Sequence, residues 1–189
     1  LHHDQEGMAY SNLAEMGQRL INAAQKVGIK ITLVPMFYQQ GGFGIAPQPR
    51  QKRFITKTVE GYYELLESTI QATKTYSGAN HGFGIHSLRA VAPDDIIASL
   101  SQLKDTIPVH IHIAEQLKEV EDAKVYLNAR PVEWLLTNCA VNENFHLVHA
   151  THLTSSEVKG IADAGAHVVL CPSTEGNLGD GLFPLQEFQ

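Results

Sequence analysis

The run Val109-His-Ile-His-Ile-Ala-Glu115-Gln116 carries two imidazoles and a carboxylate at spacings that suit hydrolytic chemistry. Alternate side chains of a β-strand share a face, so His110 and His112 look the same way. Glu115 follows His112 by three residues, where a strand ending near Ala114 would open into a loop. A metal ligand on a strand with a carboxylate just past its end is a workable layout for metal-assisted hydrolysis. The metal activates water and the carboxylate carries its proton. A half-buried strand with two satisfied histidines accounts for the same letters. Further candidates recur downstream of other apolar runs: His86 and Arg89 after one, His149 and His152 after another.

The elements that must position these residues alternate. Leu13, Met16, Leu20, Ile21 and Ala24 recur at helical spacing, and Gly28 ends that helix. Residues 29–36 form an apolar, β-branched run read as a strand, and 39–52 form a Gly/Gln/Pro-rich loop. Thr58 caps a helix carrying Val59, Tyr62, Leu65, Leu66 and Ile70. Strands are expected over 81–87, 109–114, 145–150 and 167–171. Between them, helices are expected from Pro93 to Leu103, over 116–127 and 131–138, and from a cap at Thr154 or Ser155 to just before Gly165. Leu1, His2 and His3 read as the tail of a sixth strand. Strand–helix alternation of this kind builds parallel βαβ units.

A doubly wound sheet and a (β/α)₈ barrel both fit this count. The barrel is favoured because its active sites collect at the C-terminal ends of the strands, where the candidate residues fall repeatedly. A dinucleotide-binding sheet would carry a Gly-rich phosphate turn after its first strand, and Gly41-Gly42-Phe43-Gly44 lacks that spacing.

Composition limits the partners. The chain has 189 residues with 14 basic and 20 acidic side chains, a net charge of −6 and no basic stretch. That argues against nucleic acid or an anionic membrane as the main partner. No apolar run is long enough to span a bilayer, and no secretory pattern opens the chain. Cys139 and Cys171 form no CxxC pair and are expected as buried thiols of a reducing compartment. The first residue is Leu1 and the last is Gln189, in mid-pattern, so a part of a longer protein is expected.

His112-Ile-Ala-Glu115, His146-Leu-Val-His149-Ala-Thr-His152 and Cys171-Pro-Ser-Thr-Glu-Gly-Asn-Leu-Gly179, in that order, resemble the amidohydrolase superfamily in its deaminase-like branch. More narrowly, three segments resemble the branch members that act as N-formimino-L-glutamate iminohydrolases. They are Leu1-His-His-Asp-Gln-Glu-Gly7, Gly84-Ile-His86-Ser-Leu-Arg89-Ala-Val91 and Ser173-Thr-Glu-Gly-Asn-Leu-Gly-Asp-Gly181. The resemblance covers essentially the whole chain. It implies an α/β fold, a (β/α)₈ TIM-type barrel of the metal-dependent hydrolase kind. The barrel is expected here as one partial catalytic domain over 1–189, about strands two to seven, without the first-strand and eighth-strand segments.

The same resemblance implies roles. His112 corresponds to a metal ligand, for zinc first and for iron or manganese as alternatives. Glu115 corresponds to the carboxylate that takes a proton from water and passes it to the leaving nitrogen. His149 corresponds to the histidine that orients the water. His86 and Arg89 match positions that meet substrate, with Arg89 as a clamp for a carboxylate. The implied reaction is deimination of N-formimino-L-glutamate to N-formyl-L-glutamate and ammonia. The implied setting is a cytoplasmic homodimer acting on a small acidic molecule, with neither nucleic acid nor membrane as partner.

Plainer readings stand beside these. Arg89 fits a surface charge at a strand end, and His149 fits an interior barrel residue. His110 is read as a packed core histidine, and His146 and His152 as supporting residues. His2 and His3 lie where they can line a pocket. Glu175 and Asn177 sit in a stretch rich in turn formers, read as a loop. Trp134, Tyr62 and Tyr63 are read as helix packing. The motifs also suit deaminases or hydrolases of purine, pyrimidine, triazine or imidazolone rings, and a remnant without chemistry. The family's first-strand His-x-His and eighth-strand aspartate have no counterpart here. A catalytic zinc usually takes three protein ligands. The isolated chain is therefore expected to hold zinc weakly or not at all, and to be inactive.

Overall fold

A computed structural model describes residues 2–103 and 107–188. Its strands are β1 (Ile31–Leu33), β2 (Met36–Phe37), β3 (Ala79–His81), β4 (Phe83–Ile85), β5 (Val109–Ile113), β6 (Phe145–His149) and β7 (His167–Val169). Its helices are α1 (Glu15–Val27), α2 (Val59–Thr73), α3 (Pro93–Ser101), α4 (Leu117–Leu127), α5 (Pro131–Asn138), α6 (Ser155–Asp163) and α7 (Pro172–Leu178). Every strand pairing is parallel: β1 with β3, and β2-β4-β5-β6-β7 in that order. Neighbours in the sheet are thus joined through helices, as βαβ units require. The chain has the parallel α/β architecture expected of a portion of the barrel.

Two expected strands are each broken in two. The run over 29–36 splits into β1 and β2 around Val34-Pro35, and its partner splits into β3 and β4 at Gly82. Proline cannot donate to a ladder, so regular pairing stops there. Tyr62, fully buried on α2, bridges the break: its hydroxyl donates to the Pro35 carbonyl (3.0 Å) and accepts from the Gly84 N–H (2.9 Å). Burial pushes this phenol above its usual range.

The helix signals are realised. Gly28 takes a left-handed conformation (φ 74°) and closes α1, which only glycine does at low cost. The Thr58 hydroxyl caps α2 by accepting from Gly61 N–H, and Thr154 with Glu157 forms a capping box on α6. The loop over 39–52 contains one departure, a 3₁₀ segment over Pro49–Phe54. The expected sixth-strand tail is another. His3 makes only an isolated antiparallel bridge to Ala9, and Leu1 lies outside the described residues.

Alternation in β5 and β6 divides the sheet faces. Val109, Ile111, Ile113, Phe145 and Leu147 are buried in one hydrophobic core with Leu65, Leu66, Val120, Val132 and Leu135 from the helices. Each fully buried aliphatic side chain of this kind is worth about 1.5–3 kcal/mol. The opposite face carries His110, His112 and His146, all half-buried. His110 is therefore not a packed core residue. Its ring stacks on its register partner His146 (4.6 Å between centroids, 14° between planes), which stacks on His167 of β7 (5.1 Å). Trp134 and Tyr62 are buried packing residues, as expected.

Candidate active site

The candidate residues gather where β4, β5 and β6 end. His112 is the last inward-facing residue of β5. Its Nδ1 meets the His86 carbonyl at 2.9 Å, and its own N–H donates to the same oxygen at 3.1 Å. A carbonyl only accepts, so Nδ1 carries the proton and Nε2 keeps its lone pair. Among the described residues no hydrogen bond engages that Nε2. This is how a metal-binding histidine is oriented from behind. Burial, ahead of the neighbouring His149, pushes the His112 ring below its ordinary range and keeps it neutral.

His86 follows β4 directly. Its ring lies edge-on to Tyr38 (4.5 Å) and tilted against His112 (5.2 Å). Burial, then His112 and Arg89, push it down to about 3. His86 also borders an apolar hollow of about 600 Å³, shared with Met36, Tyr38, Phe54 and Leu65. His2 reaches the rim of the same hollow, and its ring is pushed down to about 4 mainly by burial.

Glu115 stands at the centre. Its Oε1 is 3.3 Å from His149 Nε2, and its Oε2 accepts from Arg89 Nη2 at 3.3 Å. Arg89 is thus no stray surface charge. It holds Glu115 on one side and lies 3.9 Å from Glu119 on the other, while its buried Nε has no partner among the described residues. The turn that presents Glu115 is unusual: Ala114 is left-handed (φ 50°) although it carries a Cβ. Glu119, buried at the start of α4, secures that turn. Its carboxylate accepts the Ala114 N–H (3.1 Å) and the Glu115 N–H (3.0 Å). Burial raises the Glu119 carboxyl above its ordinary range, and Arg89 opposes that shift.

His149 closes β6 with φ 72°, and Ala150 follows at φ 48°. Strand alternation alone would send His149 outward with Phe145 and Leu147. The left-handed backbone turns its ring to the mouth instead, beside His112 (5.6 Å between centroids). Its Nδ1 meets Glu175 Oε1 at 3.0 Å. Glu175 lies in α7, so the stretch expected as a loop is a short helix, opened by Pro172 and closed by left-handed Gly179. Glu175 Oε1 also accepts the Cys171 N–H at 2.9 Å.

Among the described residues His149, Cys171 and Glu175 form one group of donors within 4.8 Å of one another that could hold a metal ion. Two of the three are already spent on each other, and burial raises the Cys171 thiol above its ordinary range, so it stays protonated. Neither cysteine is fully buried; both are half-buried free thiols. His152 is committed to other partners. Its Nε2 donates to the Asp180 carbonyl (2.6 Å), and Arg130 fixes its own carbonyl.

Residues 10–188 match the model of the amidohydrolase family. The chain belongs to that family. Over all its 189 residues this amidohydrolase chain is 46% identical to formimidoylglutamate deiminase of Pseudomonas aeruginosa, of which it covers 41%. Over 126 residues it is 29% identical to 5-methylthioadenosine/S-adenosylhomocysteine deaminase of Haloquadratum walsbyi, covering 28% of it. An amidohydrolase structure from Brucella melitensis superposes on the whole chain with a TM-score of 0.94 at 47% identity, and the chain covers 42% of it. A zinc-bound adenosine deaminase from Xanthomonas campestris shares the fold (TM-score 0.75, 20% identity over 98% of the chain, 40% of that structure). This amidohydrolase chain therefore spans about two-fifths or less of the length of these relatives. No helix among the described residues is long and apolar enough to cross a membrane.

The sequence alone does not single out Glu119, and it places Glu175 in a loop, without its bond to His149. Glu119 sits four residues beyond Glu115, a spacing at which a helix N-terminus can be secured by its own side chain. Glu175 was signalled by Pro172 and Gly179, which bracket a helix.

Proposed function

We propose that this chain is the catalytic portion of a cytoplasmic deiminase that hydrolyses N-formimino-L-glutamate to N-formyl-L-glutamate and ammonia. The observation that carries the substrate is the 46% identity to a formimidoylglutamate deiminase, spread over every residue of the chain. The chemistry is supported by Glu115, held between His149 and Arg89, and by His112, whose Nδ1 is committed to the His86 carbonyl.

His112 has the disposition of one metal ligand, and the further ligands would come from other segments of the protein. A divalent ion, zinc before iron or manganese, supplies when bound the polarisation that makes water a nucleophile at neutral pH. Glu115 takes a proton from the attacking water as it adds to the formimino carbon. It delivers that proton to the terminal nitrogen, giving an amine on a tetrahedral carbon. It then relays the proton of the new hydroxyl to the same nitrogen, whose bond to carbon breaks as the C=O forms and ammonia leaves. His149 Nε2 orients the water. Arg89 meets a substrate carboxylate with the part of its guanidinium that Glu115 leaves free, and His86 lines the entrance. A homodimer is the assembly we propose.

The test is ammonia release from N-formimino-L-glutamate by the full-length protein, with Glu115→Gln as control. Expected is turnover that the control loses by at least about 100-fold, in line with removal of a general acid–base. Absence of turnover by the metal-loaded protein would overturn the proposal.

A second reading is favoured by the 5-methylthioadenosine/S-adenosylhomocysteine deaminases among the relatives, at 29–31% identity over 53–64% of the chain in three examples. 5-Methylthioadenosine has no carboxylate to clamp, so under that reading Arg89→Met would leave KM for that substrate unchanged, whereas KM for an acidic substrate held by Arg89 would rise. A remnant without chemistry would release ammonia from neither substrate.

A further inference from the structure

We propose that Glu175 is a positioning residue that acts through His149, fixing which ring nitrogen of His149 faces the reacting water. The inference rests on the proposed role of His149. Glu175 is buried, and its Oε1 receives two groups at once, the Cys171 N–H at 2.9 Å and His149 Nδ1 at 3.0 Å. A carboxylate accepts and does not donate, so the Nδ1 that meets it carries the proton. The Nε2 that faces Glu115 at 3.3 Å is then the nitrogen left to exchange a hydrogen bond or a proton at the site.

Three features make the arrangement specific. His149 lies in a left-handed conformation (φ 72°), so its ring is aimed by the backbone and needs only its rotation fixed. Glu175 is delivered by α7, whose Pro172 start and Gly179 stop set its length. Cys171 N–H pins the very oxygen that His149 uses, so the carboxylate cannot swing away without giving up that second hydrogen bond. Among the described residues neither Arg89 nor His112 bonds to His149 Nδ1: Arg89 pairs with Glu115 and Glu119, and His112 Nδ1 with the His86 carbonyl.

The experiment uses the full-length, metal-loaded protein. Ring-nitrogen NMR of ¹⁵N-histidine-labelled enzyme reads the His149 tautomer, and steady-state kinetics reads kcat and KM separately. Glu175→Ala is expected to lose the Nδ1–H signature of His149 and to lower kcat about 10- to 100-fold, with KM within about threefold of the parent. Glu175→Gln keeps an accepting oxygen against both donors. It is expected to retain the signature and most of kcat, and it decides the matter if the alanine variant fails to fold. An unchanged ring signal and full kcat in Glu175→Ala, or equal loss in both variants, overturns this inference alone. Full kcat in His149→Ala overturns the role of His149, and this inference with it.

Discussion

Glu119 accepts the main-chain N–H of Glu115 at 3.0 Å, so one buried carboxylate holds another by its backbone and leaves its side chain to Arg89 and His149. The same Glu119 accepts the Ala114 N–H. Replacing it with alanine strands two donors in a buried turn. Glu119→Ala is expected to lower stability by about 2–4 kcal/mol, read from urea denaturation. Glu119→Gln retains one accepting oxygen and should lose less. Equal stability of the alanine variant and the parent would refute this account of the turn.

Arg130 offers a second test. Its Nε pairs with buried Glu157 at 2.8 Å and its Nη2 donates to the His152 carbonyl at 2.6 Å. Glu157 in turn accepts from Thr154 and Glu133 N–H groups. Arg130→Ala leaves that carboxylate without its counter-ion. Loss of a buried partner of this sort costs about 3–5 kcal/mol, though Arg130 is partly exposed and the lower end is expected. A fall in the thermal midpoint of several degrees checks it; no change would show that Glu157 is held by its backbone donors alone.

Gly84 has no room for a side chain. A Cβ there would lie 2.4 Å from Met36 Sδ and 2.6 Å from the Pro35 carbonyl oxygen. The backbone oxygen cannot move without opening the junction of β2 and β4 that Tyr62 bridges. Gly84→Ala is expected to destabilise by about 1–3 kcal/mol, as overpacking does, and wild-type urea resistance of that variant would contradict the packing described.

The stacked rings of His110 and His146 set a pH dependence. Burial lowers the His110 and His146 rings below their ordinary value of 6.5. A histidine that binds its proton less readily when folded favours unfolding as acid is added. Its share of stability is complete above pH 6.5 and is lost as pH falls through 6.5 toward the lower folded values. Urea midpoints at pH 7.5 and 5.5 should therefore diverge, and His146→Gln should narrow the gap. A gap of the same size in both proteins would rule the stack out as its source.

Metal affinity provides the last test. Zinc titrated into the purified 189-residue chain is expected to bind substoichiometrically, because one imidazole of the required disposition falls short of the usual three ligands. Tight binding of one equivalent by the isolated chain would sink this expectation.

Much of this was legible in the sequence, for a physical reason. A period of two places His110 and His112 on one face, and a break after Ile113 places Glu115 beyond it. The caps at Thr58, Thr154 and Gly28 act over a few residues and can be read locally. His149 could not be placed that way, because its left-handed backbone overrides the alternation that governs Phe145 to Val148. Glu175 lies among Ser, Thr, Gly and Asn, which favour turns, and its reach to His149 depends on where α7 packs, which no local signal gives. Arg89 looked like a loose charge because its partner lies 26 positions away, brought near by the pairing of β4 with β5.

The left-handed residues at the ends of β5 and β6 have a mechanical consequence. Ala150 N–H donates to the Ile113 carbonyl (3.0 Å), and His152 N–H donates to the Ala114 carbonyl (3.0 Å). The two turns are thereby laced together through the main chain, one presenting Glu115 and the other His149. Tilting either strand carries both side chains along, so the gap between them is insulated from breathing of the surrounding helices. Substitutions elsewhere in the shell can loosen the molecule as a whole while the spacing that proton transfer depends on stays the same.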